Sequence, residues 1–254
     1  MLVQPGFRKR IFPQKISFIT LIVFFTACSS VHKFPDYSQA ATKIPNYQIK
    51  ENVALACEPF TEKQKLETYF GVDLLREYAD GEQGYAILPI YLTMENMGKD
   101  TVLLKYPSIQ FLSKENKVIW SAVDGPAAGT PCGHAIVQRN YVMGTLNLIG
   151  GICLLVNPLI AIVPIMIATP ILIHANETDQ SAVFSMNSKD IGSRSLAGGQ
   201  KQSGFIFFLI KKEQIATLRN VTSLQMNVKN LEKNEEIPFN FDMSFVELSD
   251  RLLR

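Results

Sequence analysis

Tyr85-Ala86-Ile87-Leu88-Pro89-Ile90-Tyr91-Leu92-Thr93-Met94-Glu95 is the stretch that sets the fold class. Ala86, Leu88, Ile90, Leu92 and Met94 alternate with Ile87, Pro89, Tyr91, Thr93 and Glu95, the period of two expected of a strand with one face on a core. Turn chemistry at 96–100, with Gly98 inside it, predicts a hairpin in which 101–106 returns beside this strand. Residues 109–112 and 118–122 flank Lys114-Glu115-Asn116-Lys117 and predict a second hairpin. Pro89 has no N–H to give a ladder, which places its strand at an edge or on a bulge.

The pattern resumes downstream. Residues 183–186, 205–210, 224–228 and 237–241 are short, β-rich and separated by Gly, Asn or charged turns. About seven or eight strands at this spacing predict a mainly β fold, an immunoglobulin-like antiparallel sandwich. An open sheet with one helix packed on its face is the alternative. That helix is predicted over 61–70: Thr61 and Gln64 have capping-box spacing, Phe60 can staple the turn, and Leu66, Tyr69 and Phe70 share a face before Gly71. A further turn is expected at 73–79, and 244–254 reads as a short amphipathic helix.

Between the two sets of strands lies an apolar insert, 141–176, without a single Lys, Arg, Asp or Glu. Sixteen of the 26 residues in 148–173 are Leu, Ile, Val or Met, and leaving them in water would forgo roughly 25 to 50 kcal/mol. One membrane crossing would put the two sets of strands on opposite sides of a bilayer, where they could not share a core. A helical hairpin turning at Asn157-Pro158 returns the chain to the same side, on limbs short for a double crossing. Leu148, Ile149, Leu154, Leu155, Leu159, Ile160, Ile165 and Ile171 are the residues expected to meet membrane or a partner subunit. Pro158, Pro164 and Pro170 each remove a helix hydrogen bond, at about 3 kcal/mol unless the backbone is rescued.

The N-terminus carries an address. Arg8, Lys9, Arg10 and Lys15 precede the apolar run 16–25, which has the length of a signal hydrophobic region and falls short of a typical span. Thr26-Ala27-Cys28 follows and resembles the lipobox of bacterial lipoproteins, with Phe25 where that family usually has Leu. The resemblance implies cleavage after residue 27 and acylation of Cys28. Ser29 in place of Asp further implies an outer-membrane, periplasm-facing anchor rather than the inner membrane. Losing 1–27 would leave 21 of the 25 Lys and Arg against 23 Asp and Glu, a charge near −2. Phosphate neutralisation then has no visible source, which argues against nucleic acid as a partner.

Cysteine and histidine offer little chemistry. Cys57 and Cys132 could pair in an oxidising compartment, two free thiols being the alternative, while Cys153 sits in the apolar run. Cys132-Gly133-His134 has too few donors for a zinc motif, and His32 and His174 have no companions at ligand spacing. No nucleophile elbow, Walker loop, dinucleotide fingerprint or H-E-x-x-H occurs. No catalytic residue, metal or cofactor is expected.

The organisation expected is therefore 1–27 signal peptide, 28–59 lipidated cysteine and tether, 60–140 first part of the sandwich, 141–176 insert, and 177–254 second part with its tail. The function expected is that of a non-enzymatic cell-envelope lipoprotein. It would act as a structural or interaction module whose insert contacts membrane, an envelope partner or a second copy. The alternative is a small-molecule carrier or hydrolase whose pocket the insert lines or covers.

Overall fold

The computed structural model describes residues 32–39, 41–79, 84–156 and 158–254; at 41, 143 and 146–170 the description is of the backbone. The expected signal peptide, 1–27, and Cys28 lie outside the described residues, as do Asn157 and the side chains of Leu148, Ile149, Leu154, Leu155, Leu159, Ile160 and Ile165.

Among the described residues nine strands form two antiparallel sheets in a mainly β body with several helices. The first sheet has the order β1-β2-β3-β7, from β1 (Asn46–Lys50), β2 (Val53–Pro59), β3 (Tyr85–Asn96) and β7 (Lys201–Lys211). The second runs β5-β4-β8-β9, from β4 (Val102–Ser113), β5 (Val118–Ser121), β8 (Val221–Asn230) and β9 (Glu235–Asp242), and short β6 (Arg194–Leu196) also pairs with β4. Phe111 of β4 and Phe208 of β7 bring their ring centroids within 4.0 Å between the sheets. Along one margin Lys50 Nζ reaches the Pro238 carbonyl at 2.5 Å, and the Gln48 amide bonds to that of Asn240. Burial of the inward rings at roughly 25 cal/mol per Å² is the main stabilising contribution.

β3, β4, β5, β7, β8 and β9 fall close to where the sequence places strands, β1, β2 and β6 were not expected, and several pairings differ. The hairpin expected of 85–95 with 101–106 does not form: β3 pairs with β2 and β7, and β4 with β5, β6 and β8. Asn96 redirects the chain between sheets, its amide donating to the Asp100 and Leu196 carbonyls at 2.7 and 2.9 Å while its oxygen accepts from Gly98 N at 3.0 Å. The segments 101–106 and 109–112 are one strand with an irregularity between Leu104 and Ile109. β3 is central rather than an edge. Pro89 is tolerated because it lies opposite Phe60, one residue past the end of β2, where its carbonyl accepts from Phe60 N at 2.9 Å and the missing N–H breaks no interior rung.

The tether expected over 28–59 must also be shortened. β1 and β2 fill 46–59, and Val53, Ala54, Leu55, Ala56 and Cys57 are all buried, because β2 is an inner strand with neighbours on both sides.

Helix α1 (Lys63–Phe70) buries Leu66 and Phe70 and ends at Gly71, whose φ of 83° completes the cap that returns its N–H to the Glu67 carbonyl. The capping box expected of Thr61 is absent, since Glu62 holds the N-cap position without a side-chain bond. After β5 comes the short α2 (Gly125–Ala128), capped by the Asp124 carboxylate accepting from Ala127 N at 2.9 Å. Gly125 lies so close to the neighbouring helix that a Cβ there would meet the Met186 carbonyl at 2.6 Å.

Two long helices follow, α3 (Thr130–Val156) and α4 (Pro158–Lys189), packed against each other. Pro158 opens α4, where a missing N–H is harmless, and the helix continues through Pro164 and Pro170. The strand expected at 183–186 is part of α4. Asp179, Ala182, Met186 and Lys189 recur at helical spacing on its buried side. Helix α5 (Val246–Leu252) closes the chain with Leu248 buried.

Candidate functional site

The apolar insert becomes the outer part of the α3–α4 pair, here called the arm, and the described side chains at its base show how it is held. Tyr78 comes from the turn after Gly71, set by the burial of Leu74 and Leu75. Its hydroxyl donates to Asp179 Oδ1 at 2.7 Å. Arg139 of α3 donates to the other Asp179 oxygen and, at 3.1 Å, to the Ala175 carbonyl. One turn nearer the tip, the Asn176 amide donates to Asn140 Oδ1 at 2.7 Å. Three elements distant in sequence thus meet at one carboxylate, and α3 is held in register against α4.

Asp179 is 1% exposed, and burial pushes its carboxyl above the usual range, opposed by the Tyr78 bond and the Arg139 charge. Burial likewise raises the Tyr78 phenol and pushes the Cys132 thiol up to about 12. A buried ion pair of this kind is weak as a net source of stability but strict about geometry, since either charge left alone is costly.

At and beyond these cross-links several apolar side chains face outward: Tyr141 is 78% exposed and Ile171 64%, Val142 is exposed as well, and Leu172 and Ile173 are partly buried. Arg139 on α3 and Glu177 on α4 are the last charged residues before the uncharged stretch 141–176, and side-chain bonds join the two limbs at that level. Of the residues expected to meet membrane or partner, Ile171 is the one whose side chain is described, and it is exposed. Among the described residues no helix is long and apolar enough to cross a membrane.

The disulfide considered between Cys57 and Cys132 is not formed. Both are buried free thiols, Cys57 on inner strand β2 and Cys132 in the first turn of α3 beside Tyr78, and burial raises Cys57 too. Protonated, water-excluded thiols are poor nucleophiles. Among the described residues no group of three or more His, Cys, Asp or Glu could hold a metal ion. An open, polar depression of about 540 Å³ is lined by Ser188, Asp190, Arg194, Gln200, Lys201 and Gln202 among others, past the end of the arm's base. Only the last turn of α4 touches it, so the arm neither lines nor covers it.

A second group escapes the sequence pattern. Lys189 is 7% exposed at the end of α4, with its ammonium over the Tyr69 and Phe70 rings at 5.8 and 5.4 Å. It donates to the Pro35 carbonyl at 2.7 Å and to that of Tyr69, and burial lowers its pKa to about 8. Tyr78, Arg139, Asp179 and Lys189 all went unmarked in the sequence. The signal available was charge: Arg139 on one side, and Glu177 and Asp179 on the other, flank a stretch that has none.

No protein-family model matches this chain, and neither a curated protein nor a solved structure is significantly similar to it.

Proposed function

We propose that this chain is a non-enzymatic cell-envelope lipoprotein, anchored through an acylated Cys28 in the outer membrane. Its two sheets form an immunoglobulin-like sandwich that holds a helical hairpin to a membrane. One observation carries the proposal: both limbs of the arm lose their charged residues at the same level, and polar cross-links brace them there. A paired boundary of this sort suits the passage from water into lipid, and Tyr141, on the boundary and exposed, is of the residue type enriched at such interfaces.

Length agrees with entry from one side. From 141 to 156 and from 158 to 176 the limbs rise about 24 and 28 Å, somewhat less than the ~30 Å hydrocarbon core, so the tip would stop inside the membrane. Helical backbone satisfies its own polar groups there, as lipid requires.

The test separates the arm from the lipid anchor. The mature chain with Cys28→Ser, mixed with phosphatidylethanolamine–phosphatidylglycerol vesicles, is expected to float with them. Deleting 144–174 should abolish flotation while leaving Trp120 emission native. A Cys28→Ser chain that stays in the aqueous fraction as a monomer would sink the proposal. One that stays there as an oligomer moves the role of the arm to contact between subunits.

A further inference from the structure

The segment ahead of β1 is not a free leash, because residues 32–39 are docked on the body. The Phe34 ring lies over Gly71, so close that a Cβ there would fall 2.2 Å from it. The Pro35 carbonyl accepts from buried Lys189. Tyr37 fits edge-on among Phe60, Tyr69 and Tyr91, at centroid distances of 4.9, 5.2 and 4.6 Å, and its hydroxyl donates to Glu58 at 2.7 Å. At the front of the strap, His32 N donates to Ser181 Oγ at 2.9 Å, on α4 and two residues from Asp179.

His32, the described residue nearest Cys28 in the chain, therefore sits at the base of the arm. Four residues of chain, fully extended, span at most about 14 Å. From Ser181 to Asn176, where α4 turns apolar, the helix rises about 8 Å. With the 2.9 Å bond from His32 to Ser181, the lipid-bearing residue can reach at most about 25 Å from the level at which the arm enters lipid, less than the ~30 Å thickness of a membrane core. To seat its acyl chains in a second membrane, Cys28 would have to pass around a body of two sheets about 10 Å apart with side chains beyond, which so short a chain cannot do.

We propose that the acyl chains and the arm enter the same leaflet of one membrane, with 32–39 as the strap that binds the two anchors into one footing. This rests on the membrane reading above. Two anchors on one rigid base act together, since the first raises the effective concentration of the second. The partner of this face is accordingly a lipid surface, met by the base of the arm around Tyr141 and Ile171 while the sheets stand off it.

Vesicle-specific quenching tests the arrangement. The mature chain carrying Cys153→Ser is coupled through Cys28 to maleimide lipid in phosphatidylethanolamine–phosphatidylglycerol vesicles; Cys57 and Cys132 are buried, so with Cys153 replaced Cys28 is the site of linkage. Ile171→Trp in a Trp120→Phe background gives a single reporter at an exposed arm position, and Tyr141→Trp gives the same on the other limb. Brominated lipid is placed either in the anchoring vesicles or in a second population mixed with them. Loss of most Trp emission with bromine in the anchoring vesicles, and none with bromine in the second population, is the expected result.

Quenching by the second population overturns the shared leaflet while leaving the arm a membrane element. Quenching by neither shows that the arm does not enter lipid, which removes the membrane reading and this inference with it. Releasing the strap with Phe34→Ala and Tyr37→Ala, and inserting about 20 Gly/Ser residues after Val31 to add roughly 25 Å of reach, should bring quenching from the second population. A released chain still confined to its anchoring vesicles would overturn the role of the strap.

Discussion

Replacing Arg139 by Met asks whether charge holds the base of the arm. Asp179 is 1% exposed and accepts from Tyr78 and Arg139; removing the arginine leaves its carboxylate buried with one hydroxyl donor. Breaking a buried pair from one side costs about 3–5 kcal/mol. Asp179 can also escape by taking up a proton, which from an ordinary value near 4 to pH 7 costs about 4 kcal/mol at 1.36 kcal/mol per unit, so the loss has a ceiling near that figure. Because the Arg139 side chain is 26% exposed, a loss of about 3 kcal/mol is expected, leaving the chain folded but marginal.

Urea denaturation followed through Trp120, the single tryptophan, reads this directly. The pH dependence identifies the cause. Without the arginine, the folded pKa of Asp179 lies further above its unfolded value. The stability linked to that proton is fully present below the unfolded pKa and is lost as pH rises through the folded one. Lowering the pH from 7 to 5 should therefore narrow the gap to wild type by about 1 to 3 kcal/mol. Adding Asp179→Asn, which keeps an acceptor for Tyr78 but no charge, should recover part of the loss at pH 7. A loss below about 1 kcal/mol, or a gap indifferent to pH, would refute the charge argument.

Three further outcomes are expected. Lys189→Met tests the burial that depresses this lysine to about 8; wild type should gain on the variant by at most about 1.4 kcal/mol per pH unit above 8, since its unfolded chain holds that proton to about 10.5. Reading the difference between two chains cancels every other titrating group. Gly71→Ala forces a left-handed φ on a residue with a Cβ and drives that Cβ into Phe34, so a loss of about 1–2 kcal/mol and faster proteolysis ahead of β1 are expected, the latter measured by limited digestion. Cys57 and Cys132 should resist a thiol reagent at pH 8 and react together once urea unfolds the body. Cys132 at about 12 has roughly a thousandth of the thiolate of an ordinary cysteine, and rapid labelling in the native state would contradict its burial.

Strand positions were legible because alternation reports which side chains face inward; it does not report which strand lies alongside. The turn at 96–100 has hairpin chemistry, yet Asn96 uses its amide to bind Leu196, a residue one hundred positions away, and so sends β4 into the other sheet. Residues 183–186, Val-Phe-Ser-Met, read as a strand because so short a mainly apolar run has no distinguishing period. The helical spacing was there, but carried in part by Asp179 and Lys189, polar residues that a hydrophobic pattern ignores. The expected tether extends over β2 because 29–50 is polar and Pro-punctuated and the apolar run at 53–57 is short. Its burial depends on β1 and β3 lying either side of it. The base of the arm was illegible for the same reason, as Tyr78, Arg139 and Asp179 become neighbours only after folding.

The place of the arm within the strand order bears on how freely it could change. Both sheets are knitted across it: β3 pairs with β7 from Tyr85 opposite Lys211, and β4 with β8 from Val102 opposite Asn230. The connection from β5 to β6 thus closes a long loop, and chain entropy grows only with the logarithm of loop length. Removing some thirty residues from its outer part would alter the closure cost by about 0.5 kcal/mol. Lengthening by whole turns, in step on both limbs, costs as little. Insertions and deletions near the tip are thereby nearly neutral for folding, and the depth to which such a protein reaches could drift, or be engineered, independently of the scaffold beneath.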